Sequence, residues 1–181
     1  VYKRQPKEEP KIDYEVAELK IGFILDYDFT SWIVDDSTTY NWADGSKELE
    51  FTISSGNKKR YLNSDLKSNN LSMYWDAKID EVWSAARSKI QNETVDMNDE
   101  FHFDNRRFLF FGNGEAEVVN SVESFGMKNW LFECDKQEYL VSFNKYEDNS
   151  IEVYVGKRLK KHEVSNICLL YTSDAADDRN C

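Results

Sequence analysis

The chain has 181 residues, a formal net charge of −11 at neutral pH and an aromatic content of 14%. That aromatic content sets it outside the disordered class, and about 160 residues suffice for one ordinary domain or two small packed halves. An acidic chain repels phosphate backbones, which argues against nucleic-acid binding, and no apolar run approaches the length that spans a bilayer.

The two ends differ in character from the strand-rich sequence between them. Back-translated, Cys168 to Asp178 fits the read-through of a transposase-based sequencing adapter, and Val1 to Gln5 fits its mosaic end in the opposite orientation. Residues 1–5 and 168–181 are therefore expected to be adapter-derived, leaving Pro6–Ile167 as a bacterial, metagenomic gene fragment. The alternative is a genuine tail of odd composition, since termini tolerate such sequence. Trimming leaves the net charge at −11 and reduces three cysteines to one, Cys134. With one cysteine, neither an intrachain disulfide nor a Cys-based zinc ribbon is expected. No strand is expected through Leu169–Tyr171, and a cytoplasmic location is the simplest reading.

In chain order, short aromatic and β-branched runs alternate with Asn/Asp/Gly/Ser clusters, a strand-and-turn pattern. Strands are predicted at Ile21–Asp26, Ser31–Asp35, Leu49–Ser54, Arg60–Leu62 and Leu71–Trp75. Turns are predicted at Ala43-Asp44-Gly45 and Ser55-Gly56-Asn57, whose residues accept positive φ. From Asp80, the stretch "DEVWSAARSKIQN" places Val82, Ala86 and Ile90 at i, i+4 and i+8 with Trp83 beside them, which predicts one short helix with Asp80 as N-cap. "NETVDMNDE" then reads as an acidic linker; it lacks the spacing of a calcium loop. Further strands are predicted at Glu100–Phe103, Arg107–Phe111, Ala116–Val119, Asn129–Glu133, Glu138–Phe143 and Ile151–Val155. Gly112-Asn113-Gly114 and Glu147-Asp148-Asn149 read as hairpin turns, and the basic run Lys157–His162 as a solvated edge.

The segment from Phe51 can be laid beside that from Phe132, with Tyr61-Leu62 near Tyr139-Leu140 and Leu71–Tyr74 near Ile151–Tyr154. Small gaps are needed, so chance similarity between two hairpin-rich stretches is the alternative to duplication. The fold expected is mainly β, with antiparallel strands in two related, packed β-units (a sandwich or open barrel). The units would be 6–79 and 100–167, with a helix and acidic linker at 80–99 between them.

Recognisable catalytic chemistry is scarce. No Gly-x-Ser-x-Gly elbow, P-loop or Gly-x-Gly-x-x-Gly loop is present. His102 could join Asp99 or Asp104 in a metal site, but the grouping has no diagnostic spacing, and a surface or satisfied histidine is the better reading. Cys134 reads as a buried thiol, and pairs such as Asp26/Asp28 or Asp35/Asp36 are ordinary in an acidic chain. What stands out is a group of aromatics: Trp32, Tyr40, Trp42, Tyr74 and Trp75. In a strand Tyr40 and Trp42 share a face and Tyr74 and Trp75 oppose each other, so some could form an exposed recognition patch; core packing is the alternative.

These residues also resemble a known family. "LKIGFILDYDFTSWIVDDSTTYNW" followed by "ELEFTISSGNKKRYL" is similar to the opening of the bacterial domain of unknown function 4178. The matching elements are Leu19/Gly22, Trp32/Val34, Tyr40/Trp42, Glu50/Phe51 and Tyr61/Leu62, and "IEVYVGKRLKKHEVSNI" resembles the ending of small members. The resemblance implies a β-rich bacterial protein with no established reaction and no active-site residues to carry over. Some members carry a zinc-ribbon-like segment, missing from this fragment, or lie near genes of membrane-associated or stress-related function.

The leading expectation is a non-enzymatic binding or scaffold module working through protein contacts, without cofactors, on Trp32, Tyr40, Trp42, Tyr74 and Trp75. The resemblance alone implies that it works in a membrane-stress or envelope-associated system. The second expectation is a small-molecule-binding or hydrolytic β-barrel using carboxylates and His102. A deep pocket with converging polar groups would favour the second, an exposed aromatic sheet face the first.

Overall fold

The computed structural model describes residues 14–169. Eleven strands form one antiparallel sheet: β1 (Phe23–Tyr27), β2 (Thr30–Trp42), β3 (Lys47–Ser55), β4 (Lys58–Asp65), β5 (Leu71–Asp76), β6 (Glu100–Phe103), β7 (Arg106–Val119), β8 (Ser124–Cys134), β9 (Tyr139–Tyr146), β10 (Ile151–Leu159) and β11 (Val164–Leu169). The spatial order is β11-β1-β2-β3-β4-β5-β10-β9-β8-β7-β6, and β2 also pairs with β7. That extra pairing, from Thr39↔Val119 to Trp42↔Ala116, joins the two ends of an eight-strand ring. The architecture is therefore a closed barrel and neither a sandwich nor an open one. Closure gives both long strands a partner on each side where an open sheet would leave an edge.

β2 and β7 are long because each does two jobs. The first part of β2 pairs with β1 and the last part with β7; β7 likewise pairs first with β6 and then with β2. Each bears a register shift at the changeover, between Val34 and Asp36 and between Phe110 and Gly112. One extra residue reverses the in–out parity of a strand. Trp32 and Val34 consequently face one side of the sheet, and Tyr40 and Trp42 the other. Gly112-Asn113-Gly114, which reads as a hairpin turn in sequence, lies inside β7 instead. There Gly112 supplies the step beyond the bulge, and Gly114 leaves room for the Trp42 ring, which would stand 3.2 Å from any Cβ. The turns at Gly45, Gly56 and Asn149 do adopt positive φ.

The strand order repeats: β1–β5 and β6–β10 follow one pairing scheme, joined through β5–β10 and β2–β7. Counting outward from the two bulges, the register sets Leu71–Tyr74 against Ile151–Tyr154, as the sequence alignment does. It sets Tyr61 against Ser142, however, not against Tyr139, because the gaps fall elsewhere.

Two apolar clusters cover the outer wall. One packs Phe23, Leu25, Trp32, Val34, Phe51, Ile53, Leu62 and Met73 under β1, β11 and the 3-10 turn Val16–Glu18. The other packs Phe101, Phe108, Phe132 and Phe143 beneath α1 (Ile79–Val82) and α2 (Ala86–Gln91). Val82, Ala86 and Ile90 are buried as the i, i+4, i+8 stripe requires, but there are two short helices where one was expected. The break falls at Trp83, whose extended backbone (φ −153, ψ 113) lets its ring stack on Phe101 at 5.1 Å and meet Phe132 edge-on at 5.4 Å. Asp80 lies within α1, and Lys78 occupies the cap position without a side-chain cap bond.

Lys157 and Arg158 also depart from expectation. They sit in β10 between β5 and β9, so they are not on an edge, and they pair with Glu163 and Glu133. β11 includes Cys168 and Leu169, opposite Ile24 and Phe23, where no strand was expected; Leu170 and Tyr171 lie outside the described residues. Among the described residues no helix is long and apolar enough to cross a membrane, which says nothing of strands.

Candidate functional site: a polar barrel lumen

Because the apolar residues of β3, β4, β5, β8, β9 and β10 face outward, their alternate residues face into the ring. These are polar. β3 sends in Glu48 and Glu50, β4 Asn63, β5 Tyr74, β8 Asn129, β9 Ser142 and Asn144, and β10 Tyr154, while β2 adds Tyr40 and Trp42. They line a cavity of about 90 Å³, room for several waters or a small ligand. Tyr40, Ala116, Val118 and Met127, with Trp42, Phe125 and Tyr146 packed against them, make one wall apolar.

The polar groups of the second half satisfy one another. The Asn129 amide donates to Ser142 Oγ and to Asn144 Oδ1, both at 2.7 Å, and Ser142 Oγ donates to Asn144 Oδ1 at 3.2 Å. Tyr146 and Tyr154 both donate to Glu152, Tyr146 at 2.9 Å. The first half is not so balanced. Burial pushes Glu50 up to about 7, against the opposing pull of Tyr40 and Asn63, and Glu48 adds to the rise. Glu48 is raised as well, by burial and then by Asp65. Asn63 Oδ1 and Trp42 Nε1 are out of contact with solvent and have no hydrogen-bond partner. The Trp42 indole is close enough to Glu48 to favour the carboxylate, yet short of hydrogen-bond geometry. A carboxyl that titrates near neutrality can accept a cation when ionised and donate a hydrogen bond when protonated.

Of the five aromatics singled out in the sequence, three converge here. Tyr40 and Trp42 stack with centroids 6.2 Å apart, and Tyr74 lies across the lumen floor on Gly156. Trp32 is 4% exposed in the outer core, its Nε1 donating to the Tyr27 carbonyl at 3.1 Å. Trp75 faces outward, as adjacency to Tyr74 requires, with the Arg60 guanidinium 5.7 Å from its ring. His102 is exposed on the edge strand β6 opposite Arg107. Its expected partners are engaged elsewhere, Asp99 with Lys89 at 2.6 Å and Asp104 with Arg106. Cys134 is a free, buried thiol accepting from the Tyr139 amide at 3.2 Å. Among the described residues no group of three His, Cys, Asp or Glu side chains is placed to hold a metal ion.

Glu48 and Glu50 are absent from the sequence reading as site residues, although Glu50 belongs to the family-like strand. Alternation in "KELEFTIS" places them opposite Leu49, Phe51 and Ile53, which in an open sheet means solvent. Only closure turns that face into a lumen. Two larger outer grooves are also present, one between Glu93, Glu115, Lys128 and Lys145, where the lysines pair with the glutamates, and one lined by Phe29, Arg60, Trp75, Tyr139 and Lys157. In the second groove Asp26 is bonded to Ser31 and Asn166, Lys157 is paired with Glu163, and Arg60 lies against the Trp32 and Trp75 rings.

A protein of Aquifex aeolicus (strain VF5), described as uncharacterized, is 23% identical over 164 residues, 90% of each chain. No solved structure matches the chain. The family described as "Domain of unknown function (DUF4178)" matches residues 20–161. The chain belongs to that family.

Proposed function

We propose that the protein is a small-molecule-binding β-barrel whose ligand sits in the lumen, held by Glu48, Glu50 and Asn63 and not by His102. The observation that carries this reading is the cavity itself. Side chains from seven of the eight ring strands converge on it, and two of them leave buried polar atoms unpartnered. Buried polar atoms are ordinarily satisfied, and an orphaned pair in one cavity points to an absent partner. The reading through an exposed aromatic patch has less support, since Trp32 and Tyr40 are 4% and 8% exposed. The repeated strand order supports origin from a duplicated five-strand unit, in which the two halves have since diverged in the lumen: Glu50 on one side stands where Asn129 stands on the other.

The test is native mass spectrometry with n-propylammonium, n-propanol and propionate, alongside the lumen-filling variant Ser142→Met. Binding of at least one probe that is lost in the folded variant is expected. Equal binding by the variant would place the ligand elsewhere and end the proposal.

A further inference from the structure

We propose that the lumen ligand is a small organic cation, its ammonium group seated at Glu48 and Glu50 and its carbon skeleton against Tyr40, Trp42 and Tyr74. This rests on the reading of the lumen as the binding site. Three observations select the charge and the donor character of the ligand.

First, the lining is acidic without a basic counterpart. Among the described residues, Glu48 and Glu50 line the cavity and no lysine, arginine or histidine does. The basic side chain bearing on Glu50 from the next strand is Lys59, which is exposed and lies over the Tyr61 ring at 4.9 Å. Charged groups in such a place are ordinarily paired, so an anion would meet repulsion and a cation would supply the missing partner.

Second, the hydrogen-bond inventory calls for a donor. Asn129, Ser142 and Asn144 satisfy one another, and the amide nitrogen of Asn63 bears on the two glutamates. What is left over on that wall is acceptor capacity: the two carboxylates and Asn63 Oδ1. An ammonium has three donors and no acceptor, which fits that remainder. The indole Nε1 of Trp42 is the one orphaned donor among the described lining residues, and Glu48 stands beside it.

Third, the remaining surface is aromatic. The Tyr40–Trp42 stack and the Tyr74 and Tyr154 rings border the carboxylates, an arrangement that attracts organic cations through the ring faces. The other charged groups bearing on this region are Asp44 and Asp65, which act on Glu48, Glu152, which holds Tyr146 and Tyr154, and Arg158, which acts on Tyr74 and is paired with Glu133; the balance is acidic.

Isothermal titration of the full chain with n-propylammonium, n-propanol, propionate and calcium chloride tests the class, at pH 8 and pH 5.5, for the wild type and for Glu50→Gln. Glutamine keeps the shape while removing a buried charge, so the variant should fold. Propylammonium should bind the wild type at pH 8, and on the order of ten-fold more weakly at pH 5.5 and in Glu50→Gln. Propanol or propionate binding as tightly as propylammonium, unaffected by Glu50→Gln, would overturn the cation class while leaving the lumen reading intact. Tighter binding of calcium, displacing propylammonium, would overturn the organic cation in favour of a metal ion. Failure of every probe to bind would overturn both proposals.

Discussion

The ring of Tyr74 lies over Gly156, its cross-strand partner at the β5–β10 seam, so closely that any Cβ at position 156 would overlap the ring. Glycine there is a packing requirement, and it keeps Tyr74 flat along the lumen. Replacing Gly156 with alanine should displace the ring and lower stability by about 1–3 kcal/mol. Chemical denaturation checks this, and the pair Gly156→Ala with Tyr74→Ser should lose less than the two single changes together.

The buried glutamates tie stability to pH. The folded state raises the pKa of Glu50 from 4.5 to about 7 and raises Glu48 too, so the folded protein holds protons that the unfolded chain releases. Their contribution is fully present below the unfolded value near 4.5 and is lost as pH rises through about 7. The free energy of unfolding should therefore fall between pH 5 and pH 8, by up to about 3 kcal/mol from Glu50. In Glu50→Gln that slope should largely disappear. A cation in the lumen should flatten it as well, since the cation favours the ionised form.

The β1–β2 hairpin carries a conformational penalty. Asp28 and Phe29 both have positive φ, 49 and 56, and Phe29 is fully exposed. The corresponding turn of the second half uses Asp104 and Asn105, at φ 50 and 57, residues that suit the left-handed region. Phe29→Gly should raise the melting temperature, by about 0.5–1 kcal/mol of stability. A loss of stability would mean that the Phe29 ring makes contacts worth more than the strain.

Trp83 joins the helices to the barrel through Phe101, Phe132 and Phe143, with centroids 5.1–6.0 Å away. Trp83 is half-buried, so Trp83→Ala should cost about 3 kcal/mol, the lower end of the range for a large aromatic removed from a core. Urea unfolding would report it.

The elements were largely legible in sequence because each strand carries its own alternation and most turns their own Gly or Asn. The helical stripe Val82/Ala86/Ile90 was legible for the same reason. The break at Trp83 was not, because it answers to a phenylalanine cluster brought in from β6, β8 and β9. Gly112-Asn113-Gly114 misled because a bulged strand and a tight turn both recruit glycine. The lumen was hidden for a topological reason. Tyr40, Trp42 and Tyr74 stood out as aromatics, but nothing local says that β2 meets β7, and without that pairing Glu48 and Glu50 read as surface residues.

The indole N–H signals of the five tryptophans offer the most direct measurement. In a ¹⁵N–¹H correlation spectrum titrated with n-propylammonium at pH 8, the Trp42 signal should shift most, because its Nε1 is buried beside Glu48 without a partner. Trp32, bonded to the Tyr27 carbonyl, and Trp75, on the outer wall, should scarcely move. A saturable shift centred on Trp75, or none at any of the five, would contradict a ligand in the lumen.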